Sequence, residues 1–419
     1  MVGTYLNSLE RISIFKVLFI LLFCISEFFL INSKNPLSSN VAIAAIALSL
    51  LWDKDLPIVF YVSSSIMRIE LGTFGNALSI LIISVIALLS LTRNKDRSLK
   101  KYITAGCLFV PFALLSHFVG INSTFNATIV FIFSWLIVFY IAFIVKGKRQ
   151  LNLLMSLFFT GVVLMVLQSL HPMSIIAEDN WFESKDVATA VAVIVYIALW
   201  IIINRKINIL LKVVFLTLVI AGVVTIVLTY SRGVIIALTL STVVLLFLGM
   251  RGNRRALLVG IVVVVSLAYV FASDIIIDYD RMGANLEGGN GRTDIWKFFY
   301  ETMSKAGIFR LLFGCGPDGL TTLSQNATYA HSSILDYFFS YGVFGFAFIS
   351  YILISVFLKI RKLNNSFYTG LFILNFFMFI THGNHSEPLF LYLLSLCMGA
   401  VCVNNSGQIY KKASTAIVN

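Results

Sequence analysis

Long apolar runs, separated by short polar clusters, fill most of the chain. Fourteen of them can be marked, at 13–32, 40–51, 56–67, 74–92, 102–120, 124–145, 151–168, 187–203, 208–228, 233–249, 256–273, 333–358, 366–382 and 387–404. A helix needs about 20 mostly apolar residues to cross a hydrocarbon core of about 30 Å. The runs at 40–51 and 56–67 fall short of that length. They read either as two crossings or as a re-entrant pair, giving fourteen or twelve spans and the same topology downstream. The first run is too long for a cleaved signal peptide and lacks a small-residue cleavage site, so it predicts a retained helix. The expected fold is an all-α polytopic membrane protein, with 1–419 as one integral membrane domain.

Composition agrees with the pattern. Of 419 residues, 59% are hydrophobic and 12% are charged, against about 45–50% and about 25% in soluble domains. A soluble enzyme and a disordered chain are excluded. The net charge of +12 would suggest nucleic acid in a soluble protein, but here its distribution sets orientation. With the N-terminus placed in the cytoplasm, the inner side receives Arg11, Lys16, Lys54, the 93–101 cluster, 146–149, 205–212, 251–255, 359–362 and 411–412. That is 22 basic residues against four acids, and the outer side keeps nine against fifteen, so +18 and −6 make the observed +12. Lys and Arg favour the cytoplasmic side, so both termini are expected there and no nucleic-acid partner is implied. The five cysteines show no spacing of a disulfide framework or a metal site.

Two expected outer loops are not short. Residues 169–186 carry four acids. Residues 274–332 form a large loop inserted between spans, and a loop of that length is usually functional or disordered. Its aromatic content, with Trp296, Phe298, Phe299, Tyr300, Phe309 and Phe313, argues for order. Apolar positions 295, 298, 299, 302 and 303 keep helical spacing, so 294–306 predicts an amphipathic helix on the outer membrane face. Gly288, Gly289 and Gly291 before it, and Gly314, Gly316, Pro317 and Gly319 after it, are turn signals.

The polar residues with chemical potential gather on that side. Ser231 and Arg232 stand at the outer end of a span, Arg292 follows Gly291, and His331 and Asp336 open the span after the loop. Arg281 and Arg310 are further loop cations. Arginines near the lipid boundary on an acidic surface suggest anion binding, because guanidinium is always charged and offers phosphate a rigid fork. A histidine at the same depth can take a proton from a hydroxyl near neutral pH.

Four segments, Thr229-Tyr-Ser-Arg-Gly233, Gly291-Arg-Thr-Asp-Ile-Trp296, Phe313-Gly-Cys-Gly-Pro-Asp318 and the stretch His331-Ser-Ser-Ile-Leu-Asp-Tyr-Phe-Phe-Ser-Tyr-Gly-Val-Phe-Gly345, together resemble the O-antigen ligase and O-antigen polymerase superfamily of bacterial envelope proteins. The resemblance covers roughly 210–360. Family members often have Asn where this chain has Ser332. The resemblance implies a GT-C-like transferase of the bacterial inner membrane, acting at the periplasmic face by inversion and without a metal or other cofactor. The donor it implies is a glycan on undecaprenyl diphosphate, and the acceptor a lipid-linked repeat unit or lipid A-core. A chain-length regulator is a further partner it allows. Carried over by position, Arg232 and Arg292 would grip the diphosphate, and His331 would act as general base or orient the acceptor hydroxyl. Ser231, Asp336, Arg281, Arg310, His382 and His385 would border the substrate.

Plainer readings exist for each residue. Arg232 can be an interfacial arginine with its charge in water, Arg292 a solvated loop charge, and His331 a cap. Arg281 and Arg310 read mostly as solvated. The pair Asp278 and Asp280 lacks the companions of an oxygen cage, and His382 and His385 with Glu387 lack enough ligands for a metal. Glu27 is an ionisable residue in the first span, and it also stands close enough to the outer end to reach the interface. Arg68 and Glu70 read as an ion pair, and His117 and His171 as structural. At the level of the whole chain, the alternative to a transferase is a lipid-linked oligosaccharide flippase. That function calls for ionisable residues at the membrane midplane between repeat halves, whereas here the spans are nearly free of charge. Among transferases a polymerase is preferred to a ligase, on the long loop and the helix count.

Overall fold

The computed structural model describes residues 14–32, 37–51, 56–67, 72–92, 97–120, 125–144, 150–170, 184–205, 207–229, 231–249, 292–317, 332–381 and 388–402, with a few single positions between them. No strand occurs among them. The helices are α1 (Ile14–Asn32), α2 (Leu37–Ser49), α3 (Leu56–Ile66), α4 (Gly72–Thr92), α5 (Arg97–Val119), α6 (Phe125–Ile144), α7 (Gln150–Leu170), α8 (Ser184–Asn204), α9 (Ile209–Leu228) and α10 (Arg232–Gly249). After these come the loop helices α11 (Arg292–Ser304) and α12 (Ile308–Phe313), then α13 (Ser333–Leu363), α14 (Ser366–Thr381) and α15 (Pro388–Cys402). Six described helices are long and apolar enough to cross a membrane: Leu99–Val119, Ala127–Ile144, Val187–Asn204, Ile209–Leu228, Arg232–Gly249 and Ser333–Leu363. The chain is thus an all-α polytopic membrane protein. The run at 256–273 lies outside the described residues apart from four helical positions.

The apolar character of each helix explains its place. Nearly every residue of α8 from Val187 to Ala198 is buried, as is α15 from Leu389 to Cys402, which is how helices apolar on all sides behave. α8 packs against α7, α9, α10 and α14. α9 covers one side of α8 and leaves Ile209, Leu210, Val213, Leu216, Ile220 and Val224 exposed, a surface suited to lipid. Polar contacts tie helices together inside the bundle. Asn375 donates Nδ2 to the Phe390 carbonyl at 3.1 Å and so ties α14 to α15. Ser63 and Ser156 share a short hydrogen bond between α3 and α7. α2 and α3, of 13 and 11 residues, pack on each other and are shorter than a full crossing at about 1.5 Å per residue.

The contacts order the helix ends. At one end of the bundle, Gly249 of α10 approaches Asn204 of α8, Trp200 of α8 meets Phe367 at the start of α14, and Lys359 of α13 donates to the Tyr102 hydroxyl of α5 at 3.0 Å. The opposite end therefore holds the start of α10, the end of α14, the start of α13 and the end of α5. There Tyr337 of α13 meets Phe379 of α14 at 6.1 Å.

α13 is two helices joined at a break. Gly342 has φ 64° and ψ −155°, so the carbonyls preceding it leave the helical ladder. The Phe313–Pro317 segment fills that gap. Cys315 N–H donates to the Phe339 carbonyl at 2.8 Å and Gly316 N–H to the Ser340 carbonyl at 3.0 Å. Ser116 of α5 adds its hydroxyl to the same Ser340 carbonyl at 2.5 Å. Buried aromatic rings brace the break: Phe109 stacks on Phe348 at 4.4 Å, Phe131 stacks on Tyr341 at 4.4 Å, and the Trp135 indole N–H donates to the Tyr337 hydroxyl at 3.0 Å.

Candidate active site

Three helices begin next to the residues singled out by sequence. α9 ends at Leu228, and Thr229 closes it with its N–H on the Thr225 carbonyl at 3.2 Å and its hydroxyl on the Ile226 carbonyl at 2.7 Å. The buried Ser231 presents its carbonyl to the N–H groups of Val234 and Ile235, and α10 begins at the half-buried Arg232. α11 begins at Arg292. α13 begins at Ser333 with Ser332 as its N-cap residue, and His331 immediately precedes that cap in the sequence. A cation in the first turn runs against the helix dipole. The cost is removed when an anion sits there, because the open N–H groups and the guanidinium then act together.

The loop helix settles where its apolar stripe goes. Phe299 and Met303 are buried with Cys315 and Phe339, and Ile295, Phe298, Leu311, Leu335 and Phe338 close around them. The Phe299 and Phe339 rings meet edge to face at 4.2 Å. The spacing at 295, 298, 299, 302 and 303 marked a real helix. Its apolar face packs on the first half of α13 and not on a membrane surface, because Leu335, Phe338 and Phe339 offer it a protein surface. α12 packs on α13 and α5, with Phe313 against Phe112 and Phe344. The loop therefore carries Arg292 to the end of the bundle where α13 begins.

Asp336, in the first turn of α13, is buried at 4% exposure. It stands on the helix that meets both α14 and the loop, one residue before Tyr337, which touches Phe379. Arg232 lies at the same end through the packing of α10 along α14. Arg310 is on the exposed side of α12. Arg281, His331, His382 and His385 lie outside the described residues, as do Arg68, Glu70, His171, Asp278, Asp280 and Glu387. Among the described residues no group of three or more His, Cys, Asp or Glu is placed to hold a metal ion. No disulfide joins any of the five cysteines, all of which are described. Burial raises the Cys315 thiol above its ordinary range, and the nearby Arg310 charge opposes that shift.

Glu27 departs from the expectation that it reaches the interface. It is fully buried in α1, and neither carboxyl oxygen has a hydrogen-bond partner. α1 packs on α7 and α2, helices that carry none of the candidate residues. His117 fits a structural role, with its ring against Phe118 and Phe125.

Several positioning residues escaped the sequence reading. Gly120, at the end of α5, has no room for a side chain: a Cβ there would lie 2.7 Å from the Cys315 carbonyl oxygen and 3.1 Å from the Gly316 Cα. Gly314, marked in the sequence only as a turn signal, has φ 81° and presses against the backbone of Ser340 and Tyr341. Ser116 holds Ser340. The visible signal was a pair of small residues, Ser116 and Gly120, one turn apart at a span end. Nothing in the sequence tied it to a segment two hundred residues away.

Comparison with known proteins agrees with this assembly. Residues 216–350 match the family model described as O-antigen ligase, a segment running from α9 through α10, α11 and α12 to just beyond the break in α13. No curated protein matches the chain. The match covers residues 216–350 and supports a place for the chain in the O-antigen ligase and polymerase superfamily.

Proposed function

We propose that the protein is an inverting, metal-independent glycosyltransferase of the bacterial inner membrane. It joins glycan repeat units carried on undecaprenyl diphosphate at the periplasmic face, as an O-antigen polymerase. One observation carries this reading: Arg232 and Arg292 each open a helix, and His331 stands just ahead of a third. The family match, which spans all three positions, supports the same chemistry.

In the proposed reaction the acceptor hydroxyl attacks the anomeric carbon of the donor sugar from the face opposite the diphosphate. His331 takes the hydroxyl proton as the new C–O bond forms. The bond from the anomeric carbon to the phosphate oxygen breaks, and undecaprenyl diphosphate leaves with the electron pair. Arg232, Arg292 and the N–H groups of their helices balance the charge that grows on the leaving oxygen. Preorganised donors of this kind are worth about 10²–10³ in rate each. The guanidinium forks supply the charge that a metal would otherwise bring. Asp336 and Ser231, with Arg281, Arg310, His382 and His385, would border the two substrates.

A second reading, an O-antigen ligase that transfers the glycan to lipid A-core, is favoured by the ligase name of the matching family. Gene deletion followed by a lipopolysaccharide gel separates the two. Lipid A-core bearing a single repeat unit supports the polymerase. Bare core, with polymerised glycan left on the carrier lipid, supports the ligase. Repeat units retained at the inner face would overturn both and support a flippase.

A further inference from the structure

The N-terminal helices hold buried polar groups that the transfer chemistry does not use. Glu27 is fully buried in α1, and both of its carboxyl oxygens lack a hydrogen-bond partner. Among the described residues no cation offsets its charge. α2 and α7, which pack on α1, carry no Lys, Arg or His. α3 reaches α1 through the Phe60 ring, which meets Phe19 and Phe23 edge to face, and its titratable group is the neutral phenol of Tyr61. On α1 itself, Lys16 stands three turns before Glu27, about 16 Å along the axis. Cys24, one turn before Glu27, lies beside the Thr160 hydroxyl and within electrostatic reach of the Glu27 carboxyl. Thr160 is the middle residue of α7, so the carboxyl stands inside the hydrocarbon depth and not at a helix end. Buried hydroxyls in the bundle commonly donate to the carbonyl one turn back, as Ser64 does to Phe60 and Thr225 to Ala221, each at 2.9 Å. Thr160 is among those that do not, and its buried oxygen has no hydrogen-bond partner. Ser156 stands one turn before it on the same face of α7 and shares a hydrogen bond with Ser63 of α3.

We infer that Glu27 and Thr160 form a monovalent cation site between α1 and α7. An isolated carboxylate in an apolar interior is very costly, and an ionisable group at this depth calls for a partner. A proton neutralises the carboxyl but finds no acceptor in this arrangement, since neither oxygen is in hydrogen-bond contact. A hard cation instead draws on several oxygens at once, and the carboxylate of Glu27 and the hydroxyl of Thr160 supply them from two helices. One carboxylate cancels one positive charge. A divalent ion would leave a net charge buried among apolar side chains, so the site suits Na⁺ and not Mg²⁺ or Ca²⁺. Na⁺ and the proton compete for the same oxygens. Na⁺ enters as the carboxyl proton leaves, and the charge of the site stays at zero. The ion fastens α1 to α7 and meets none of the residues assigned to glycan transfer, so the inference stands independently of the transferase reading.

The test follows the thermal unfolding midpoint of the full-length protein in nanodiscs, in sodium chloride and in N-methyl-D-glucamine chloride at equal ionic strength. The midpoint should rise with Na⁺, because an ion held only by the folded state stabilises it by mass action. Glu27→Gln keeps the size of the side chain and removes its charge, and the Na⁺ dependence should vanish. Thr160→Val removes one ligand oxygen and should need about tenfold more Na⁺ for the same rise. A hydrophobic carbodiimide, which adds to a protonated carboxyl, gives a second readout at the Glu27 peptide by mass spectrometry. Na⁺ should slow this modification. Where the carboxyl is mostly protonated, each unit fall in pH should raise the Na⁺ required about tenfold, as one proton is exchanged for one ion. A wild-type midpoint equal in the two salts overturns the inference, and so does an undiminished Na⁺ response in Glu27→Gln. Modification of Glu27 at a rate indifferent to Na⁺ overturns it too, and leaves Glu27 as a carboxyl that keeps its proton.

Discussion

Replacing Gly342 with alanine should release the loop that carries Arg292. Its φ of 64° and ψ of −155° lie where a residue with a Cβ is strained by about 1–3 kcal/mol. A Cβ there would press on the Leu312 carbonyl and lie 2.7 Å from the Gly314 nitrogen. These are backbone atoms, so relief requires residues 312–316 to move off α13. That movement gives up the Cys315 and Gly316 bonds to Phe339 and Ser340, at about 1 kcal/mol each. The total is about 3–5 kcal/mol, or at least about a 100-fold rise in the open fraction. Cys315 reports it directly, because its side chain is 1% exposed while the loop is docked. Maleimide labelling of the membrane-embedded protein, followed at the Cys315 peptide by mass spectrometry, should accelerate at least about 100-fold, or up to the rate of a fully open thiol. Gly307→Ala is the control, since nothing lies within 4 Å of a Cβ there, and its rate should stay within about twofold of wild type. Labelling of Gly342→Ala at the wild-type rate would refute the docking of the loop on the break.

Further outcomes follow from the same contacts. Ser116→Ala removes the hydroxyl bond to Ser340 and should speed Cys315 labelling about fivefold, the equivalent of about 1 kcal/mol. Tyr337→Phe leaves the buried Trp135 indole N–H unsatisfied and should cost about 1–3 kcal/mol, read as a lower midpoint of thermal unfolding in nanodiscs. Because burial raises the Cys315 thiol, the folded state holds that proton more tightly than the unfolded chain. Its contribution to stability is complete below the unfolded value and lost as pH climbs through the folded one, so a pH series should show stability falling on the alkaline side. Cys315→Ser should flatten that fall. Glycan transfer should persist in excess chelator, and a strict requirement for Mg²⁺ would count against arginine as the charge carrier.

The sequence disclosed the helices well, because apolar runs as long as a bilayer have few alternatives. The end of α10 at Gly249 and the start of α13 at Ser333 coincide with the expected runs. The loop helix was also legible, since the spacing of Ile295, Phe298, Phe299 and Met303 has a helical period. Its partner was not, because periodicity shows that a face is buried and says nothing of what covers it. Leu335, Phe338 and Phe339, which cover it, sat inside a run already assigned to a span. The break at Gly342 was hidden for a similar reason. A glycine within a long apolar run is common, and only its approach to Gly314 gives it meaning. Among the candidate residues, Arg232 and Arg292 stood out in sequence by charge and by their expected places at a span end and at the start of the loop helix, and the fold sets each as the first residue of a helix.

The central claim is that Arg232 and Arg292 hold the departing diphosphate while His331 takes the proton of the attacking hydroxyl. The direct measurement is transfer by purified protein in nanodiscs, with an undecaprenyl-diphosphate-linked repeat unit as donor and release of undecaprenyl diphosphate as the readout. Arg232→Ala and Arg292→Ala should each lower the rate by about 10²–10³, and His331→Ala by about 10²–10⁴, with normal amounts of each variant in the membrane. Full activity of both arginine variants would contradict the account.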